Sequence, residues 1–77
     1  MWRGMTTLDA TGLLCPLPVL KLRKRLQALE AGACITMQAD DPAARIDVPH
    51  FCAESGHELV ETSEDGPVLT FVVRKNG

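Results

Sequence analysis

Hydrophobic positions along the chain fall into two rhythms. In residues 33–39, Ile35, Met37 and Ala39 alternate with other residues, the pattern of a strand with one buried face. Cys34 falls on the opposite face and reads as a structural residue at the strand start. Val68-Leu69-Thr70-Phe71-Val72-Val73-Arg74 is the strongest strand signal, rich in β-branched residues. Met5-Thr6-Thr7-Leu8-Asp9-Ala10 reads as a short strand that gives way to turn formers at Asp9 and Gly12, and residues 57–62 as another. Glu64-Asp65-Gly66-Pro67 carries the Asp-Gly signal of a hairpin turn. Elsewhere the period lengthens. Val19, Leu22, Leu26 and Leu29 make one apolar stripe, which predicts a helix over residues 16–31 with Gly32 as its cap. Asp41 as N-cap and Pro42 after it open a second helix that Gly56 stops after Ser55. Pro49 is expected to break this helix, with Asp47 recapping the chain there. Ile46, Val48, Phe51 and Cys52 are its expected apolar contacts.

The element order is therefore strand, helix, strand, helix, strand, strand. The first three make a right-handed parallel crossover and the last two a hairpin. The expected fold is α+β: a two-layer α/β sandwich, βαβαββ, with a mixed four-stranded sheet and two helices on one face. The 77 residues form one expected domain, with residues 1–5, including Trp2, as a flexible tail. Ligand sites in such folds lie at the carboxyl ends of parallel strands. The turn holding Cys15 follows the first strand and Asp40-Asp41 follows the second, so both belong on one edge of the sheet. Acids close to Cys15 would oppose thiolate formation there.

Leu14-Cys15-Pro16-Leu17-Pro18 is the stretch where chemistry concentrates. A residue before proline is pushed out of the helical region, and proline is welcome at the first helical position. Pro16 is thus expected to open the helix with Cys15 as its N-cap. A sulfur there feels the positive end of the helix dipole, which favours the nucleophilic thiolate. The amides of Leu17 and Val19 would assist, and Pro16 and Pro18 would stiffen the sulfur's position. Position alone leaves a second reading open, because most free cysteines are small buried hydrophobes.

Charge divides the chain. The net charge is −2, yet Lys21, Arg23, Lys24 and Arg25 cluster on the first helix, whereas residues 40–65 hold eight acids against Arg45 alone. At about 100° per residue, Leu17 and Leu20 turn away from the buried stripe and lie beside Lys21 and Lys24. An exposed apolar spot rimmed by charge reads as a docking surface for an acidic protein patch, with Leu17, Leu20, Lys21, Arg23 and Lys24 as its residues. The alternatives are a solvated helix face and a loop covering the leucines. The chain is not basic enough overall for a nucleic-acid binder and lacks aromatic residues near the cluster, so no direct nucleic-acid contact is expected. No apolar run is long enough to span a bilayer, and no secretory core precedes the fold. On those two grounds the chain reads as cytoplasmic, and its three widely spaced cysteines argue against a disulfide framework. It is expected to be monomeric by itself.

Other chemistries fit poorly. Cys15, Cys34, Cys52, His50 and His57 include no Cys-x-x-Cys pair, so no metal site is expected. Cys52 reads as core, His50 as exposed and His57 as structural. A Cys/His hydrolase would need a third orienting group and a pocket. A thioredoxin-like role would need two neighbouring cysteines. A lone exposed sulfur suits covalent carriage and hand-over. Oxidation sensing within a regulatory adaptor is the other reading.

Leu8-Asp9-Ala10-Thr11-Gly12-Leu13-Leu14-Cys15-Pro16-Leu17-Pro18 resembles the Leu-Asp-x-x-Gly-x-x-Cys-Pro-x-Pro signature of the TusA-type, or SirA-like, sulfur carrier proteins. Ala39-Asp40-Asp41-Pro42-Ala43, Asp47-Val48-Pro49-His50-Phe51-Cys52 and Gly56-His57-Glu58-Leu59 are similar to later blocks of that family. The resemblance implies a sulfurtransferase in which Cys15 carries sulfane sulfur as a transient persulfide, without other cofactor. Asp9, Gly12, Pro16, Pro18, Asp40 and Asp41 would shape the site. It implies a cysteine desulfurase or other persulfide donor, and a downstream acceptor protein. The acceptor route would be tRNA 2-thiouridine synthesis, or alternatively sulfur oxidation, molybdenum-cofactor maturation or selenium handling. The chain departs from the common pattern at Leu17, where glutamate is usual, and at Leu20-Lys21, where two methionines often stand. Those departures bear on the partner more than on the chemistry.

Overall fold

Val68–Arg74 lies inside the sheet, hydrogen-bonded on both sides, and its alternation decides which face is buried. Leu69, Phe71 and Val73 point into the core. A computed structural model describes residues 5–76. The elements are β1 (Met5–Asp9), α1 (Leu17–Gln27), β2 (Cys34–Ala39), α2 (Ala44–Ser55), β3 (Glu58–Asp65) and β4 (Val68–Arg74). The sheet order is β1-β2-β4-β3. β1 runs parallel to β2, from Met5 opposite Cys34 to Asp9 opposite Gln38, and β4 is antiparallel to both β2 and β3. The architecture is the α+β arrangement expected, with a mixed four-stranded sheet and two helices. Of the tail expected over residues 1–5, residues 1–4 with Trp2 lie outside the described region, and Met5 opens β1.

Register explains the core. Leu8, Met37 and Phe71 align across three strands, as do Ile35 with Val73 and Ala39 with Leu69. All are buried, and Leu22 and Leu26 of α1 with Val48 and Cys52 of α2 complete the cluster. At the carboxyl end of the parallel pair the buried residues shrink to Ala10, Ala39 and Ala44. Small side chains there let the following loops sit close to the sheet.

Several boundaries differ from the sequence expectation. α1 ends at Gln27, not residue 31: Ala28 and Leu29 donate to Arg25 and Leu26 carbonyls in tight turns. Gly32 (φ 88°) does not cap the helix, because its N–H donates to the Lys75 carbonyl at 2.8 Å. Lys75 Nζ instead donates to Leu29 O at 2.7 Å, holding a carbonyl just past the helix end. β3 runs on to Asp65, since Ser63, Glu64 and Asp65 find partners in Thr70, Leu69 and Val68. Pairing with β4 overrides their poor strand propensity. The turn is thereby only Gly66-Pro67. Gly66 takes φ 60° at the first central position, where a type II′ hairpin needs glycine.

α2 is unbroken through Pro49, and Asp47 does not recap it: the Asp47 N–H donates within the helix start, to Ala43 O at 2.9 Å. An internal proline costs about 3 kcal/mol or more. Burying Val48 and Cys52, one turn apart, returns roughly 1.5–3 kcal/mol for a side chain of valine size and holds both halves of the helix against the sheet. The helix starts at Ala44 with Ala43 as N-cap, and Asp41 acts from two residues earlier, accepting the Ala43 N–H at 3.1 Å. Ile46, expected in the core, is 75% exposed. It lies two positions from Val48, about 200° around an unbroken helix.

Candidate functional site

The site grows from two neighbouring strand ends. As β1 finishes, Asp9 Oδ1 accepts the Thr11 N–H at 3.0 Å and the Thr11 hydroxyl at 2.6 Å, turning the chain out of the sheet. These bonds hold the Asp9 carboxyl below the usual aspartate value, with a smaller contribution from the charge of Lys21. Gly12 follows at φ 81°, a conformation that side-chain-bearing residues resist. Its N–H donates to Asp40 Oδ1 at 2.9 Å, and the Cys15 N–H donates to Asp41 Oδ2 at 2.6 Å. The two acids after β2 thus tie down the loop after β1. Asp41 uses its other oxygen on Ala43, so one carboxylate joins the cysteine loop to the start of α2.

Pro16, not Cys15, is the N-cap of α1, and Cys15 stands one residue further out. The Cys15–Pro16 peptide is cis. The Leu17 amide, expected to face the sulfur, donates to Leu14 O at 2.8 Å. Pro18 is buried and fixes the first turn of α1 against the core. The Cys15 thiol itself donates to Asp47 Oδ2 at 2.8 Å. That bond, together with desolvation and the charges of Asp47 and Asp41, pushes the Cys15 thiol above its ordinary pKa. The expectation of a thiolate favoured by the helix dipole is therefore corrected: the acids beside the sulfur disfavour the thiolate.

A groove of about 250 Å³ opens beside the sulfur, between Pro16 and Val19 on one side and Asp47, His50, Phe51 and Glu54 on the other. A larger groove of about 470 Å³ lies between α2 and β3, crossed by an Arg45–Glu64 ion pair at 2.6 Å. It shares no lining residue with the first and is lined by no cysteine, whereas the smaller one is lined by Cys15. Of the three free cysteines, Cys15 is exposed, Cys34 half-buried and Cys52 buried. Burial pushes the Cys52 thiol up as well. Among the described residues, no three His, Cys, Asp or Glu side chains gather closely enough to hold a metal ion.

The structure brings Asp9, Gly12, Asp40 and Asp41 together around the loop of Cys15. Leu17 and Leu20 are each 48% exposed, and Lys21, Arg23 and Lys24 are exposed on the same helix. Leu14, unremarked in the sequence, is 71% exposed beside the cysteine. Asp47 also went unrecognised as a neighbour of the sulfur. The signal was present: Asp47, His50, Phe51 and Glu54 recur at spacings of three, one and three, which is one face of a continuous helix. A helix broken at Pro49 would not keep that face together. His57 is structural, its Nδ1 accepting the Asn76 N–H at 3.1 Å and its ring resting near Phe51.

No described helix is long and apolar enough to cross a membrane. Residues 6–75 match the family described as Sulfurtransferase TusA. The crystal structure of a SirA-like protein from Desulfitobacterium hafniense is similar at 29% sequence identity and a TM-score of 0.82, covering 95% of this chain and 100% of that one. Sequence match and shared architecture extend over nearly the whole molecule, and the chain belongs to the TusA family of sulfurtransferases.

Proposed function

We propose that Cys15 accepts sulfane sulfur from a protein persulfide, holds it as Cys15–S–SH and passes it to an acceptor protein. The observation that carries this reading is the position of Cys15 in a TusA-family chain: the exposed cysteine of three, at the carboxyl end of a parallel strand pair. In the loading step the Cys15 thiolate attacks the outer sulfur of the donor R–S–SH. A bond from Cys15 Sγ to that sulfur forms, and the donor sulfur–sulfur bond breaks. The donor leaves as R–S⁻ and takes up the proton Cys15 gave away. Hand-over repeats the step with an acceptor thiolate as attacker. Nothing is oxidised or reduced overall, so the exchange needs no metal or organic cofactor. A cysteine desulfurase is the donor to test first, and the tRNA 2-thiouridine route the first acceptor pathway. The setting is the cytoplasm, where free thiols stay reduced.

Incubation with a desulfurase and cysteine is expected to add about 32 Da, one sulfur atom, to the peptide containing Cys15. Sulfur mapped by mass spectrometry to Cys34 or Cys52 would overturn the assignment.

Leu17, Leu20, Lys21, Arg23 and Lys24 are proposed to guide the donor. The double variant Lys21→Glu/Lys24→Glu should slow loading from a protein donor about tenfold or more at low salt. The defect should shrink as ionic strength rises, because steering by exposed charge is screened. Loading from a small persulfide should be unaffected. Equal slowing with both donors would remove the docking role.

A further inference from the structure

We propose that Asp47 is a positioning residue that holds Cys15 as a hydrogen-bonded thiol in the empty carrier and so restrains its reaction with adventitious small electrophiles. The inference rests on the reading of Cys15 as the sulfur-bearing residue, but its test does not need sulfur transfer. Three observations support it. Cys15 Sγ lies 2.8 Å from Asp47 Oδ2, so loss of the thiol proton would place two anions in contact. The loop cannot easily swing the sulfur away, because the Cys15 N–H is held by Asp41 at 2.6 Å. And Asp47 projects from α2, whose buried Val48 fixes it in place on the neighbouring residue.

No lysine or arginine lines the groove beside the sulfur. From the loop after β2, Asp41 contributes a second negative charge. From α2, Glu54 and His50 line the groove, with His50 Nε2 3.4 Å from Glu54 Oε2. From α1 and its approach, Pro16 and Val19 line the groove and carry no charge, while Lys21 and Lys24 are exposed outside it. Asp47 is the group that touches Sγ.

The test is the pH dependence of Cys15 alkylation by iodoacetamide, followed on the Cys15 peptide by mass spectrometry. In the wild-type chain the midpoint should lie above that of an ordinary thiol, about 8.5. Asp47→Asn removes the charge and should lower the midpoint. Each unit of that fall raises the thiolate fraction at pH 7 about tenfold, while the weaker basicity costs about threefold in nucleophilicity. The net gain is about threefold in rate per unit. Asp47→Glu, which restores the carboxylate, should return the profile toward wild type; a merely structural role would not be rescued in this way. His50→Gln alters the groove without removing the carboxylate bonded to Sγ, and should move the midpoint less than Asp47→Asn. Superimposable wild-type and Asp47→Asn profiles would overturn the proposal, as would an equal shift in His50→Gln. Because no donor is present, failure here leaves the loading experiment unaffected, and failed loading leaves this one interpretable.

Discussion

Cys15→Ser abolishes persulfide loading and leaves the fold intact: that is the largest functional effect expected in this chain. Cys15 is exposed and contributes nothing to the core cluster. Its side chain makes one hydrogen bond, to Asp47, which a serine hydroxyl can also make. The stability change should therefore stay within about 0.5 kcal/mol, as for a surface substitution. Loading disappears because a hydroxyl oxygen cannot form the sulfur–sulfur bond that holds the cargo. The remaining cysteines are poor substitutes, Cys34 being half-buried and Cys52 buried with a thiol whose pKa desolvation raises. Circular dichroism and thermal melts should match the wild type while the added sulfur mass is lost. Residual loading of Cys15→Ser at the wild-type level would refute the assignment.

Leu22→Ala should have the largest effect on stability. Leu22 is fully buried, in the part of α1 that faces the sheet. Truncating such a leucine removes transfer free energy and leaves a cavity, together costing about 3 kcal/mol within a range of 2–5. For a domain of this size each kcal/mol moves Tm by about 4–8 °C, so a fall of about 12–24 °C is expected. Leu20→Ala, two positions along and half-exposed, is the internal control and should melt close to wild type. Equal melting temperatures for the two variants would mean that the stripe is misassigned. The pair also separates stability from docking, since only the Leu20 change should slow donor-dependent loading without lowering Tm.

The parts of this fold legible in the sequence are those where one simple rhythm prevails. β4 is bounded by Pro67 and Lys75 and alternates along its whole length, so its limits are found at once. The stripe of α1 is likewise plain, with Leu22 and Leu26 buried and Val19 and Leu29 packed against the core. Juxtaposition of Cys15 with Asp40-Asp41 follows from topology, because parallel neighbours end on the same side. What stayed hidden depends on contacts distant in sequence. Ser63, Glu64 and Asp65 are poor strand formers, made a strand by β4. α1 stops early because Gly32 is drawn to Lys75. Asp47 reaches the sulfur because α2 survives Pro49, and that survival is decided by burial of Val48 and Cys52. The reversal of the expected electrostatics at Cys15 has the same origin: local sequence shows a helix start, while the structure adds an acid from 32 positions away.

The strand order has a consequence for synthesis. Every residue that surrounds the sulfur, from Asp9 to Glu54, precedes the hairpin, yet β4 must lie between β2 and β3 before the sheet is whole. A nascent chain emerging from the ribosome thus exposes Cys15 early and completes the floor beneath it last. Until Val68–Arg74 inserts, β2 lacks its antiparallel partner and the buried faces of Leu8, Met37 and Val48 lack Phe71 and Val73. The end of the molecule that holds Cys15 is encoded before the hairpin, yet its sheet is whole only once Val68–Arg74 has inserted.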